Sequence, residues 1–176
     1  MKNGFSLIEL ISVVAITAVI SLVSVNVLIT SQIRGTRANV ISQVRREGGF
    51  VLDELSFLLR NARYLTENQF SQVCQDNMSA IRAVDQNGGQ IEIYLDVDGR
   101  VASNSGAVIS DPPASYLSSP TVIVSGLNFD CRQDPEERGA FIQVRFKVES
   151  GSQADLSPEA YYAQDFTGNV YIRSYQ

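Results

Sequence analysis

From Phe5 to Ile29 the chain is an apolar run carrying a single charge, Glu9, and no other segment constrains the fold as strongly. A helix needs about 20 apolar residues to cross the hydrocarbon core of a bilayer, so Leu10–Ile29 is long enough to span one. A secretory signal peptide fits poorly: its apolar region is only about 7–15 residues long and is followed by a small-x-small cleavage site. No Ala-x-Ala follows this run, and only Lys2 supplies positive charge ahead of it. A plain signal anchor needs nothing but the span. It leaves Glu9 unexplained, because a carboxylate at full depth costs roughly 2.5–3.5 kcal/mol and so calls for a partner. Arg34 and Arg37 follow the run closely, and counting positive charge alone would put that side in the cytoplasm.

Beyond the run the apolar residues keep helical spacing. Val40, Ile41, Val44, Gly48, Val51, Leu52, Leu55, Leu58, Leu59 and Ala62 recur in steps that place them on one stripe. The spacing predicts that the helix continues as an amphipathic segment to about Tyr64 and packs its stripe on a globular domain. Gly48-Gly49 interrupts good helix formers and marks a bend or a point of close packing. Arg34, Arg37, Arg45 and Arg46 fall on this helix just past the span. They form either a solvated face near lipid headgroups or a surface that pairs with acidic neighbours.

The remainder reads as β. Gln90-Ile91-Glu92-Ile93-Tyr94-Leu95 alternates polar and apolar, Asp96-Val97-Asp98-Gly99 supplies a turn, and Val101 resumes the strand. Thr121–Phe129, Ala140–Val148 and Asn169–Tyr175 are further strands rich in Val, Ile, Phe and Tyr. Loops are expected at Asp111-Pro112-Pro113, at Asp134-Pro135-Glu136-Glu137 and over residues 150–158. A long helix followed by strands gives an α+β fold: a stem, transmembrane then amphipathic, and a head built on an antiparallel sheet.

The start of the chain, Gly4-Phe5-Ser6-Leu7-Ile8-Glu9, resembles the class III signal of type IV prepilins and of the pseudopilins of type II secretion. The resemblance implies that a prepilin peptidase cuts between Gly4 and Phe5, methylates the new amine of Phe5 and leaves the apolar helix on the mature protein. It also implies that Glu9 pairs with the methylated amine of a neighbouring subunit, where two opposite charges compensate one another's desolvation. The expected division is then a leader over residues 1–4, a transmembrane and filament-core helix over 5–29, its amphipathic continuation over 30–65 and a β-rich head over 66–176. The leader would be cytoplasmic, and the chain would cross the inner membrane once with its head outside, before joining a filament at the cell surface or in the periplasm. The implied partners are other pilin or pseudopilin subunits, the prepilin peptidase, the inner-membrane assembly platform and, before assembly, membrane lipid.

The likeness continues past the signal. Arg45-Arg46-Glu47-Gly48, Leu55 and Leu59-Arg60-Asn61-Ala62-Arg63-Tyr64 look like the helix of the minor pilin W and minor pseudopilin J group. So do the hairpin from Ile93 to Gly99 and the closing Val170-Tyr171-Ile172-Arg173-Ser174-Tyr175. Major pilins carry a helix-breaking glycine and a proline within the span. Ala18 and Asn26 stand at those places here, and no proline precedes Pro112, so the stem should stay helical throughout. That fits a low-copy minor subunit at the tip or initiating end of a filament. Two other readings stand beside it: a pilus-tip adhesin or receptor, and an unprocessed membrane-anchored binding domain.

Cys74 and Cys131 both fall in the part that would lie outside the cytoplasm. In an oxidising compartment such a pair forms a disulfide; the alternative is two separate buried thiols. Enzyme readings fare badly. The chain has no histidine for a triad, a zinc site or general-base work, and neither cysteine has a basic neighbour in sequence except Arg132. Asp96 and Asp98 could begin a calcium loop but lack the acidic ligands that should follow, so a hairpin turn is the better reading. Glu136 and Glu137 are a second carboxylate pair. No metal or cofactor is expected. With a formal net charge of −5 and no basic patch beyond Arg34–Arg46, no nucleic-acid partner is expected either.

Overall fold

A computed structural model of the chain describes residues 7–68, 70, 73–105, 115–134, 139–151 and 160–173. The chain forms two compact units, Met1–Asn39 and Val40–Gln176. Helix α1 (Leu7–Arg60) contributes to both: its residues up to Asn39 make the first unit, and those from Val40 on belong to the second. With no proline before Pro112, no ring clash or missing N–H breaks the ladder, and the helix is uninterrupted at Gly48-Gly49.

The fold is α+β. In the second unit two antiparallel sheets follow the helix. The first holds β1 (Ala62–Thr66), β2 (Ala80–Asp85), β3 (Gln90–Leu95), β4 (Val101–Ser105) and β5 (Ser115–Tyr116), neighbours in that order. The second holds β6 (Ile123–Asp134), β7 (Gly139–Glu149) and β8 (Ala163–Arg173). Val44, Gly48, Val51, Leu55 and Leu59 are the buried residues of α1, the stripe that the three-and-four spacing demanded. They share one core with Ile81, Ile93 and Val101 of the first sheet and Phe129, Ile142, Val144, Val170 and Ile172 of the second. Along β7 burial alternates strictly from Ala140 to Val148, the signature of a strand with one face on the core.

At Gly48 the helix meets the second sheet. Phe166 of β8 lies against the glycine so closely that a Cβ would fall within its ring, whereas Gly49 faces open space. Of the two outcomes expected for this pair, close packing is realised at Gly48. Gly48→Val is therefore expected to lower stability by about 1–3 kcal/mol through overpacking. Chemical denaturation of the full chain in detergent should show that loss, and Gly48→Val combined with Phe166→Ala should lose less than the sum of the two single changes.

The turn at Asp96–Gly99 also forms. The Asp96 N–H donates to the Arg100 carbonyl at 2.8 Å and the Gly99 N–H to the Asp96 carbonyl at 3.0 Å, with Gly99 at φ +69°, where side chains other than glycine are strained.

Five elements, α1, β1, β2, β6 and β8, differ from the sequence expectation. The helix ends at Arg60 instead of near Tyr64: both the backbone N–H and the side-chain amide of Asn61 donate to the Phe57 carbonyl, closing the last turn. Ala62–Thr66 then pairs with β2 as a strand. The second strand, Ala80–Asp85, had no counterpart in the reading of the sequence. The strands expected at Thr121–Phe129 and Asn169–Tyr175 are both longer on one side: β6 runs on to Asp134, and β8 begins at Ala163.

Candidate functional site

The first unit presents an unusual surface. Leu7, Ile8, Leu10, Ile11, Val13, Val14, Ile16 and every large aliphatic side chain from there to Ile33 are exposed, at 45% or more. Such a surface far exceeds the patch that a soluble monomer leaves in water and fits coverage by lipid or by other helices. Leu7–Ile29 rises about 35 Å, enough for the ~30 Å hydrocarbon core. Among the described residues this is one helix that is long and apolar enough to cross a membrane.

Polar groups on that surface are treated in two ways. Every serine and threonine from Leu7 to Thr30 bonds within the helix: Ser12 to the Ile8 carbonyl at 2.8 Å, Thr17 to Val13 at 2.9 Å, Ser21 to Thr17 at 2.7 Å, Ser24 to Ile20 at 2.8 Å and Thr30 to Asn26 at 2.8 Å. Glu9, by contrast, is exposed in the first turn, and its side chain makes no hydrogen bond or ion pair among the described residues. Gly4 and Phe5, and the leader as a whole, lie outside the described residues.

In the second unit Cys74 and Cys131 are joined, with their Cα atoms 4.9 Å apart. The bond fastens residues 74–78 to β6, and backbone pairing reinforces it. The Met78 and Phe129 backbones exchange hydrogen bonds at 2.9 and 2.8 Å, and the Cys131 N–H donates to the Gln75 carbonyl at 2.9 Å. Asn77, at φ +63°, donates its backbone N–H to Asp130 Oδ1 at 2.8 Å, and Asp130 in turn pairs with Arg145. Oxidation and strand pairing thus act on the same short segment.

Asp96 is committed to its own hairpin. One carboxylate oxygen accepts the Val97 N–H at 2.8 Å and the other accepts the Tyr116 hydroxyl at 3.0 Å. That hydrogen bond, with smaller contributions from burial and from the Asp96 charge, raises the Tyr116 pKa above its ordinary value, against the pull of Arg100 stacked on the ring at 3.4 Å. Asp98 completes the same turn.

The structure also reveals a surface that the apolar stripe leaves out. Phe50 and Phe57, seven residues apart on α1, are 57% and 61% exposed. They share a helix face with Arg46, Asp53 and Arg60, all exposed. Their signal in the sequence was aromatic side chains at positions off the buried stripe. Comparison of the chain with protein-family profiles, with curated proteins and with solved structures found no match.

Proposed function

We propose that the chain is a minor type IV pilin or pseudopilin: a structural subunit that co-assembles at the tip or initiating end of a type IV filament or of a type II secretion pseudopilus. In this reading prepilin peptidase removes residues 1–4 and methylates Phe5, and the head faces away from the cytoplasm. One observation carries it. A Gly4-Phe5 step opens a proline-free apolar run whose aliphatic side chains from Leu7 to Ile29 are all exposed and whose single charge, Glu9, has no partner among the described residues. A neighbouring subunit's methylated amine satisfies Glu9, and neighbouring stems cover the apolar face. Phe50 and Phe57 supply a second contact ridge on the same helix. The Cys74–Cys131 bond fits a head in an oxidising compartment.

The experiment is the intact mass and N-terminal sequence of the protein from its native membrane, with and without prepilin peptidase. The expected product begins at methylated Phe5 and requires that enzyme; Gly4→Leu leaves the chain uncut. Glu9→Val should still be cut, yet fall to a small fraction of the wild-type amount among co-purified filament subunits. A chain that begins at Met1 in the presence of the peptidase would overturn the proposal and leave a membrane-anchored domain.

A further inference from the structure

One stretch of the first unit carries a wide, open groove. Val23, Asn26, Val27, Thr30, Ser31 and Arg34 line a shallow cleft along α1. Their spacing in threes and fours stacks them along one side of the helix, and Arg37 extends the row by a turn. The lining changes character along the axis. Val23 and Val27 lie inside the apolar run, Asn26, Thr30 and Ser31 straddle its end at Ile29, and Arg34 lies beyond it.

That order matches the depth profile of a bilayer. At 1.5 Å per residue Arg34 is roughly 7–8 Å past Ile29. With the apolar run filling a ~30 Å hydrocarbon core, this is the level of the headgroup phosphates. The cleft also holds unused donors. Thr30 gives its proton to the Asn26 carbonyl and offers only lone pairs, but the Asn26 amide, the Ser31 hydroxyl and the Arg34 guanidinium have no hydrogen bond or ion pair among the described residues. No acidic residue occurs between Glu9 and Glu47, so nothing in this stretch of helix neutralises Arg34 or Arg37.

The geometry points to a binding site for an anionic phospholipid: an acyl chain lies along Val23 and Val27, the Asn26 amide donates to the ester carbonyls at the edge of the apolar run, and the phosphate is held by Ser31 and Arg34, with Arg37 adding charge. Charge complementarity selects an anion, and the apolar half of the cleft selects one that carries a hydrocarbon chain. The inference rests on α1 crossing the bilayer and not on cleavage at Gly4, so it stands whether or not the chain joins a filament.

The test reconstitutes the full chain in vesicles of equal parts phosphatidylcholine and phosphatidylglycerol. Spin-labelled probes of each lipid then report relative association with the protein. The expected result is a preference for phosphatidylglycerol of about fivefold per arginine at low salt. Arg34→Gln/Arg37→Gln should abolish it, and Asn26→Leu should reduce it with both charges in place. Arg45→Gln/Arg46→Gln, which removes equal charge further along the helix, should leave it unchanged. No preference in the wild type, or a preference that survives Arg34→Gln/Arg37→Gln, overturns the site. So does an equal loss from the Arg45→Gln/Arg46→Gln pair, which would mean diffuse attraction. Flotation of the same vesicles separates the two layers of the argument: failure to insert removes the membrane span and the site with it, while insertion without lipid preference removes the site alone.

Discussion

Arg82→Met is expected to destabilise the second unit by about 3 kcal/mol, because it strips the cation from a carboxylate that is out of water. Arg82 Nη2 meets Glu92 Oε2 at 2.6 Å across β2 and β3, and the Glu92 side chain is only 1% exposed. The two residues are direct cross-strand partners, with Asn104 of β4 next in the row. The cost follows from asymmetry. An intact buried pair contributes little net stability, but a buried carboxylate that loses its cation must meet its desolvation with fewer partners, which is expensive. The figure is at the low end of the usual range because the Arg82 side chain is 16% exposed and part of its interaction is screened by solvent. Denaturant unfolding in detergent, followed by tyrosine emission in a chain with no tryptophan, gives the number. The diagnostic variant is Arg82→Met/Glu92→Met. It should recover most of the loss, and if it is no more stable than Arg82→Met, desolvation of Glu92 is not the cause.

The second large effect is expected from Cys74→Ser/Cys131→Ser. A bond between residues separated by 57 positions closes a long loop, and releasing it costs about 4 kcal/mol on the chain-entropy account. Residues 74–78 would then depend on the Met78–Phe129 pairing, the Cys131–Gln75 hydrogen bond and the polar contacts of Asn77 with Asp130 and Asn128. Met78, fully buried at present, would become the weak point. Limited proteolysis should cut the variant near residues 66–80 at protease concentrations that leave the oxidised wild type whole. A loss below about 1 kcal/mol would show that the strand pairing suffices and that the bond adds little to the native state.

What the sequence disclosed, and what it hid, follows from how many partners each residue has. The stripe Val44, Gly48, Val51, Leu55, Leu59 was legible because a helix packed on one side writes its period directly into the chain. The meaning of Gly48 was not, since it depends on Phe166, which arrives from the last strand. The strand β1 was read as the tail of the helix because Leu59 and Ala62 keep helical spacing; Ala62 is buried in the strand as well, so its apolar character does not distinguish the two. Strand β2 escaped notice because it is buried on both faces and Arg82 interrupts its apolar pattern.

β3 carries the opposite lesson. Its polar positions alternate with apolar ones, yet Glu92 and Tyr94 on one face are buried, as is Ile93 on the other. A polar residue at an outward position signals water only when nothing lies over it. As for the candidate site, Glu9 stood out as the one charge in the apolar run, and the two cysteines, which the structure joins, were evident from residue type. Phe50 and Phe57 needed the fold to show which side of the helix was left bare.

The self-satisfied hydroxyls of α1 have a further consequence. With each of those protons already spent on the helix's own carbonyls, the surface between Glu9 and Asn26 offers neighbours only hydrocarbon and oxygen lone pairs. Moving such a rod from acyl chains into a bundle of similar rods exchanges one apolar neighbour for another and breaks no hydrogen bond. Its middle therefore imposes no hydrogen-bonded register on a neighbour: there, alignment rests on side-chain packing, and polar discrimination is left to the charged and amide groups at its two ends. A stem of this kind can be withdrawn from a membrane and returned to it without rearrangement of its own hydrogen bonds, like a dowel that fits two sockets equally well.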